Sequence, residues 1–214
     1  MKKYMLLFAA AAVLMAGCKS KKNDPKPGSD SYFPVSSGST WSYKDVVGDA
    51  NNTLTITMTG ATSVFNSKTY YTASSVSSAH GTSTGYYYAA DNAYAIRATN
   101  VSAGITIELQ MGNDSKAVGD TWTTTPTDNG TISGFPARTV NTIKEKGITK
   151  VVNGKTFTDV IHTQVDLQYN LGSGFTSTAL YDFYLAKGVG MIETDTSVSG
   201  NIYEKETITD YSIK

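Results

Sequence analysis

The sequence predicts an all-β protein: one antiparallel, strongly curved sheet, half-barrel or barrel-like, built from two similar halves. Three observations predict it. Apolar residues recur with period two, as in Leu54, Ile56 and Met58 between Thr53, Thr55, Thr57 and Thr59, and in Ile105, Ile107, Leu109 and Met111 between Thr106, Glu108 and Gln110; that alternation is the signature of half-buried strands. Turn chemistry interrupts the chain at Asn66-Ser67-Lys68, Asp91-Asn92, Asn153-Gly154-Lys155 and Ser199-Gly200-Asn201, residues that tolerate the positive φ of tight hairpins. Finally, a set of segments appears twice in the same order.

Gly38-Ser39-Thr40-Trp41 is answered by Gly119-Asp120-Thr121-Trp122, 81 residues on. Val64-Phe65-Asn66-Ser67-Lys68-Thr69-Tyr70 is answered by Val151-Val152-Asn153-Gly154-Lys155-Thr156-Phe157, and Tyr86-Tyr87-Tyr88-Ala89-Ala90 by Tyr181-Asp182-Phe183-Tyr184-Leu185-Ala186. A duplicated β unit can cover its own apolar face with its second copy. The halves are about 31–111 and 112–214, and no linker separates them. Ten to twelve strands are expected from the turn spacing, and an open sheet of that width curls.

From the N-terminus, Lys2 and Lys3 precede an apolar run from Tyr4 to Ala16. It is shorter than the about 20 residues needed to span a membrane, and reads as an export signal over 1–17. Leu14-Met15-Ala16-Gly17-Cys18 resembles the lipobox of bacterial lipoproteins, with Met15 where Leu is usual. That resemblance implies lipidation of Cys18, the single cysteine, with acyl chains such as palmitate as the membrane anchor. Residues 18–30 are charged, contain Pro25 and Pro27, and lack apolar side chains beyond Cys18 itself, so they are expected to form a flexible tether.

The single β-domain is 31–214, which carries 12 basic and 16 acidic side chains. A mildly acidic domain offers no footprint for nucleic acid. Trp41 and Trp122 are expected to pack as lids on the core. The stretch Thr123 to Ala137, with Pro126, Asp128, Asn129, Gly130, Gly134 and Pro136, is expected to be a long loop or frayed hairpin with little to bury.

Catalytic chemistry is thin. His162 shares a face with Gln164, Asp166 and Gln168, a face expected to be wet, and at about 3.3 Å per residue Asp166 lies roughly 13 Å away. His80 falls in a loop. Glu108, Asp166, Asp182 and Glu193 are acidic residues on strands that could meet across the sheet, yet no nucleophile elbow, zinc motif or calcium loop accompanies them. The expectation is therefore no enzyme, no catalytic or metal residues, and no cofactor. Tyr70-Tyr71, Tyr86-Tyr87-Tyr88 and Tyr94 must alternate between faces, and exposed members such as Tyr87 could stack on sugars.

Tyr32-Phe33-Pro34-Val35, the two Gly-x-Thr-Trp units, Asn153-Gly154-Lys155-Thr156-Phe157, and Tyr184-Leu185-Ala186-Lys187-Gly188-Val189-Gly190 together resemble small envelope lipoproteins of the Bacteroidota. The resemblance implies an antiparallel β-domain with no established activity or cofactor. A weaker analogy of architecture is to Lol-type carriers, whose curved sheets hold acyl chains. The expected function is a lipid-anchored, non-catalytic binding or interaction module of the cell envelope. It would be an outer-membrane lipoprotein facing the periplasm, holding an apolar or acyl ligand on a concavity lined by residues such as Leu54, Ile56, Met58, Ile105, Ile107 and Leu109. The alternative is recognition of a glycan or envelope protein through exposed tyrosines.

Overall fold

In the computed structural model, residues 30–100 and 104–214 are described. Cys18, the export signal 1–17 and all of the tether 18–30 except Asp30 lie outside the described residues. Thirteen strands follow: β1 (Thr40–Val47), β2 (Ala50–Phe65), β3 (Lys68–Ser77), β4 (Gly81–Ala90), β5 (Ala93–Asn100), β6 (Ile105–Asn113), β7 (Thr121–Thr124), β8 (Thr131–Ile132), β9 (Phe135–Val152), β10 (Lys155–Asn170), β11 (Phe175–Ala186), β12 (Gly190–Val198) and β13 (Asn201–Ser212). All belong to one antiparallel sheet in the order β6-β5-β4-β3-β2-β1-β13-β12-β11-β10-β9-β7, with the short β8 paired to the start of β9.

The sheet curls into a half-barrel until β6, at one end of this order, approaches β9, β10 and β11 near the other. Gly112 of β6 is so near β11 that a Cβ there would stand 2.9 Å from Leu185 Cδ1. Glycine is what lets the two layers touch.

The turns expected from sequence are present. Asn66 and Ser67 (φ 48 and 62), Asp91 and Asn92 (53 and 61), Asn153 and Gly154 (48 and 76), and Ser199 and Gly200 (52 and 80) all adopt positive φ between paired strands. The duplicated motifs fall at corresponding places in the strand order. Trp41 lies in β1 and Trp122 in β7, the two Asn turns join β2 to β3 and β9 to β10, and the Tyr-rich segments lie in β4 and β11. Along the sheet, β1 to β6 and β7, β9 to β13 are laid down in the same direction.

One end of the interior is plugged by aromatic side chains. The segment before β1 inserts Phe33 between Trp41 (centroids 5.4 Å apart) and Tyr87 (4.8 Å), all three buried. Burying each ring contributes about 1.5 to 3 kcal/mol. Trp41 Nε1 donates to Val189 O (2.6 Å) and the Tyr43 hydroxyl to Met191 O (2.9 Å), so no polar atom of these side chains is left dry. Trp122, by contrast, sits on the edge strand β7 and is half-buried. One indole is a core element, and the other caps an edge.

Candidate functional site

Toward the opposite end the interior is not filled. The register places Ser75 of β3 and Ser83 and Gly85 of β4 on the inward rows, too small to occupy the space the curl encloses. What remains is a cavity of about 530 Å³, within the usual range for small-ligand sites. Ile96 and Ala98 of β5 and Ile105, Ile107 and Leu109 of β6 form one wall, and Tyr181 and Phe183 of β11 form the facing wall. Thr194 and Thr196 of β12 and Glu204 and Glu206 of β13 complete it, with His80 from the exposed β3–β4 turn. Ile105, Ile107 and Leu109 were expected to face a concavity, and they do. Leu54, Ile56 and Met58 do not line this cavity; Ile56 and Met58 are core, and Leu54 packs against it.

Glu206 stands opposite Asp45 of β1 in the strand pairing, and Glu204 is two residues along on the same inward row. Burial, followed by the charges of Glu204 and Asp45, pushes the Glu206 carboxyl up to about 8. Glu204 is also raised, by burial and by Asp45, with His80 acting in the other direction. Asp45 is 5% exposed, and its Oδ1 has no hydrogen-bond partner. Sequence reasoning missed all three. The signal was there in the rows Trp41-x-Tyr43-x-Asp45 and Glu204-x-Glu206-x-Ile208, where charged residues continue a run of inward-facing core positions.

The residues that sequence reasoning did single out lie mostly on the outer face. His162 is buried rather than wet: Nδ1 lies 3.1 Å from Glu145 Oε2, Nε2 lies 2.7 Å from Asp182 Oδ1, and its ring stacks on Tyr184 at 4.2 Å. The outer face here is lined by long side chains that cover one another, so alternation alone misjudged its solvation. Lys150 Nζ sits 3.6 Å over the Tyr184 ring and 3.2 Å from Glu193, and Lys205 bridges Glu193 (2.8 Å) and Asp195 (2.7 Å). Asp166 accepts from Gln168 (2.6 Å). Glu108 meets Lys68 (3.2 Å) and the Tyr70 hydroxyl. The four acids singled out therefore each have separate partners.

The tyrosines divide as alternation requires, but not as expected for Tyr87. Tyr87 points inward and is 2% exposed, stacked on Phe33. Tyr86 and Tyr88 point outward and are half-buried, and Tyr70 is buried on the outer side against Phe65 and Tyr88. The stretch after β7 also differs from expectation. Pro126 and Thr127 are buried, Pro126 O accepts from Glu108 N of β6 (2.7 Å), and Asp128 takes a bidentate pair from Arg97 (2.7 and 2.6 Å). This loop ties the β7 edge of the sheet to the β6 edge.

No protein-family model matches the chain, and a comparison with curated proteins found no match. The fold is similar to a crystal structure from Parabacteroides distasonis of a protein provisionally described as a lipoprotein. The two share 11% identity and a TM-score of 0.50, over 86% of this chain and 99% of that one. A crystal structure of a provisionally exported protein with a YmcC-like fold, from Bacteroides fragilis, matches over the same shares at 11% identity with a TM-score of 0.46. At such identity the likeness is one of fold.

Proposed function

We propose that this chain is a lipid-anchored, non-catalytic module of the bacterial envelope that holds an apolar or acyl ligand inside its half-barrel. The observation that carries the reading is the cavity of about 530 Å³, walled on two sides by aliphatic and aromatic side chains. The space is an open concavity with apolar walls on both sides and a few polar groups at its rim, the usual build of a small-ligand site. The lipobox around Cys18 supports anchoring, and the provisional description of the Parabacteroides distasonis protein as a lipoprotein agrees with it. The described chain begins beside the aromatic plug, where Gly188 N donates to Ser31 O, and the cavity lies toward the other end of the half-barrel.

Native mass spectrometry of the protein purified from membranes tests the cavity. A bound apolar mass is expected, lost in Ala98→Trp, which fills the space; a clean apo mass under gentle conditions would count against the reading. For the anchor, Cys18→Ala is expected to move the protein from the membrane to the soluble envelope fraction, and persistent membrane association would contradict lipidation.

A further inference from the structure

We propose that the ligand is a cationic amphiphile, an ammonium group on an apolar body, whose charged end is received by Glu204 and Glu206. This rests on the cavity being a ligand site. The outer and inner faces of the same strands treat acids differently. Outside, Asp182 is matched by His162, and Glu193 and Asp195 by Lys205. Inside, Asp45, Glu204 and Glu206 lie together with no such partner among the described residues: Asp45 Oδ1 is orphaned there, and the charged groups acting on the two glutamates are one another, Asp45 and His80.

Buried polar atoms in folded proteins are almost always satisfied, and Asp45 Oδ1 is one of four buried side-chain atoms among the described residues that are not; it is the one that stands beside two acids of the cavity wall. Glu204 and Glu206 line the cavity, with Asp45 facing Glu206 across the strand pair; Glu206 keeps its proton at neutral pH, and a cation delivered to the cavity is what would let the acids ionise together. An anionic ligand such as a fatty carboxylate would add negative charge beside acids that already repel one another. A neutral chain would leave the acids without purpose. Among the described residues no group of three or more His, Cys, Asp or Glu side chains could hold a metal ion, and the apolar walls beside the two glutamates suit an organic cation. The apolar walls of Ile105, Ile107 and Phe183 then take the body of the ligand.

The titratable groups lining the cavity are Glu204, Glu206, His80 and Tyr181; Asp45 stands opposite Glu206 in the strand pairing, and the Tyr43 and Tyr87 hydroxyls feel the charge of Glu206. Glu206 must lose its proton to pair with an ammonium, so binding should tighten as pH rises toward about 8 and level off above it.

Calorimetric titration of the full chain with dodecylammonium, dodecanol and dodecanoate, each below its micelle concentration, tests this. The expected result is a preference for dodecylammonium over dodecanol of about tenfold or more. The preference should grow between about pH 6 and pH 9, and it should be absent in Glu204→Gln/Glu206→Gln. Retained dodecanol binding in that variant reports an intact cavity, and Ala98→Trp should lose both ligands. Equal binding of all three probes, or a preference that survives the double variant, overturns the head-group assignment and leaves the cavity standing. Failure of every probe to bind overturns the cavity reading and this inference with it.

Discussion

At Glu206, burial and two neighbouring acids act in the same direction, and the carboxyl is raised to about 8. An unfolded glutamate titrates near 4.3, so between these values the folded chain binds a proton that the unfolded chain has released. Stability from this group is thus complete below the unfolded value and is lost as pH rises through the folded one. Glu206→Gln keeps the shape and removes the charge. It should leave the melting temperature unchanged near pH 4 and stabilise the protein by on the order of 2 kcal/mol at pH 9, read by thermal unfolding at the two pH values. Identical pH profiles for the two proteins would mean Glu206 is solvated. The residue scale is where sequence reading was weakest. Trp41 was expected to cover the core, but whether Asp45, four residues on and on the same inward row, met a base or two more acids depended on the pairing of β1 with β13, whose residues lie some 160 positions apart.

Among the elements, the turn between β11 and β12 shows how a short segment can fix the plug. Val189 gives its carbonyl to Trp41, Gly188 N donates to Ser31 O (2.7 Å), and Gly190 has φ +111, where a Cβ would lie 3.1 Å from Trp41 Nε1 and 3.6 Å from Phe33. Gly190→Ala meets both a backbone conformation that side chains rarely adopt and a wall of indole. It should cost about 2 to 4 kcal/mol, seen as a lower urea midpoint with a red-shifted Trp emission, whereas Gly200→Ala, with open space around it, should cost less. Elements were the most legible scale. Hairpins at Asn66, Asp91, Asn153 and Ser199 follow from local backbone preference and needed no tertiary knowledge. The segment after Thr124 did not yield, because Pro126 and Asp128 acquire their roles only by meeting β6 and Arg97 from the far side of the sheet.

For the whole molecule, the cavity exists because strands from opposite ends of the sheet order face each other: β5 and β6 on one side, β11 on the other. Curl brings them together, and the loop carrying Asp128 holds them there. Arg97 is 5% exposed and lies 4.7 Å over the Phe65 ring, so its charge depends on Asp128, with Glu108 at 4.0 Å as a weaker second partner. The Arg97 guanidinium in turn holds the Asp128 carboxyl below its usual range, so this tie is present above the ordinary carboxylate range and is lost as pH falls through the lowered value. Asp128 is half-exposed, and solvent screens the pair, so Asp128→Ala should cost about 1 to 2 kcal/mol in global stability. Its larger effect should be local. Hydrogen exchange should accelerate in β5 and β6, which the loop no longer pins, while β1 and β13, in the middle of the sheet with a neighbour on each side, keep their protection. The same variant should weaken binding of an apolar probe, because the wall formed by Ile105, Ile107 and Leu109 would no longer be held against Tyr181 and Phe183. Uniform acceleration across all strands would instead mean that the sheet opens as one unit and that the loop is not a clasp.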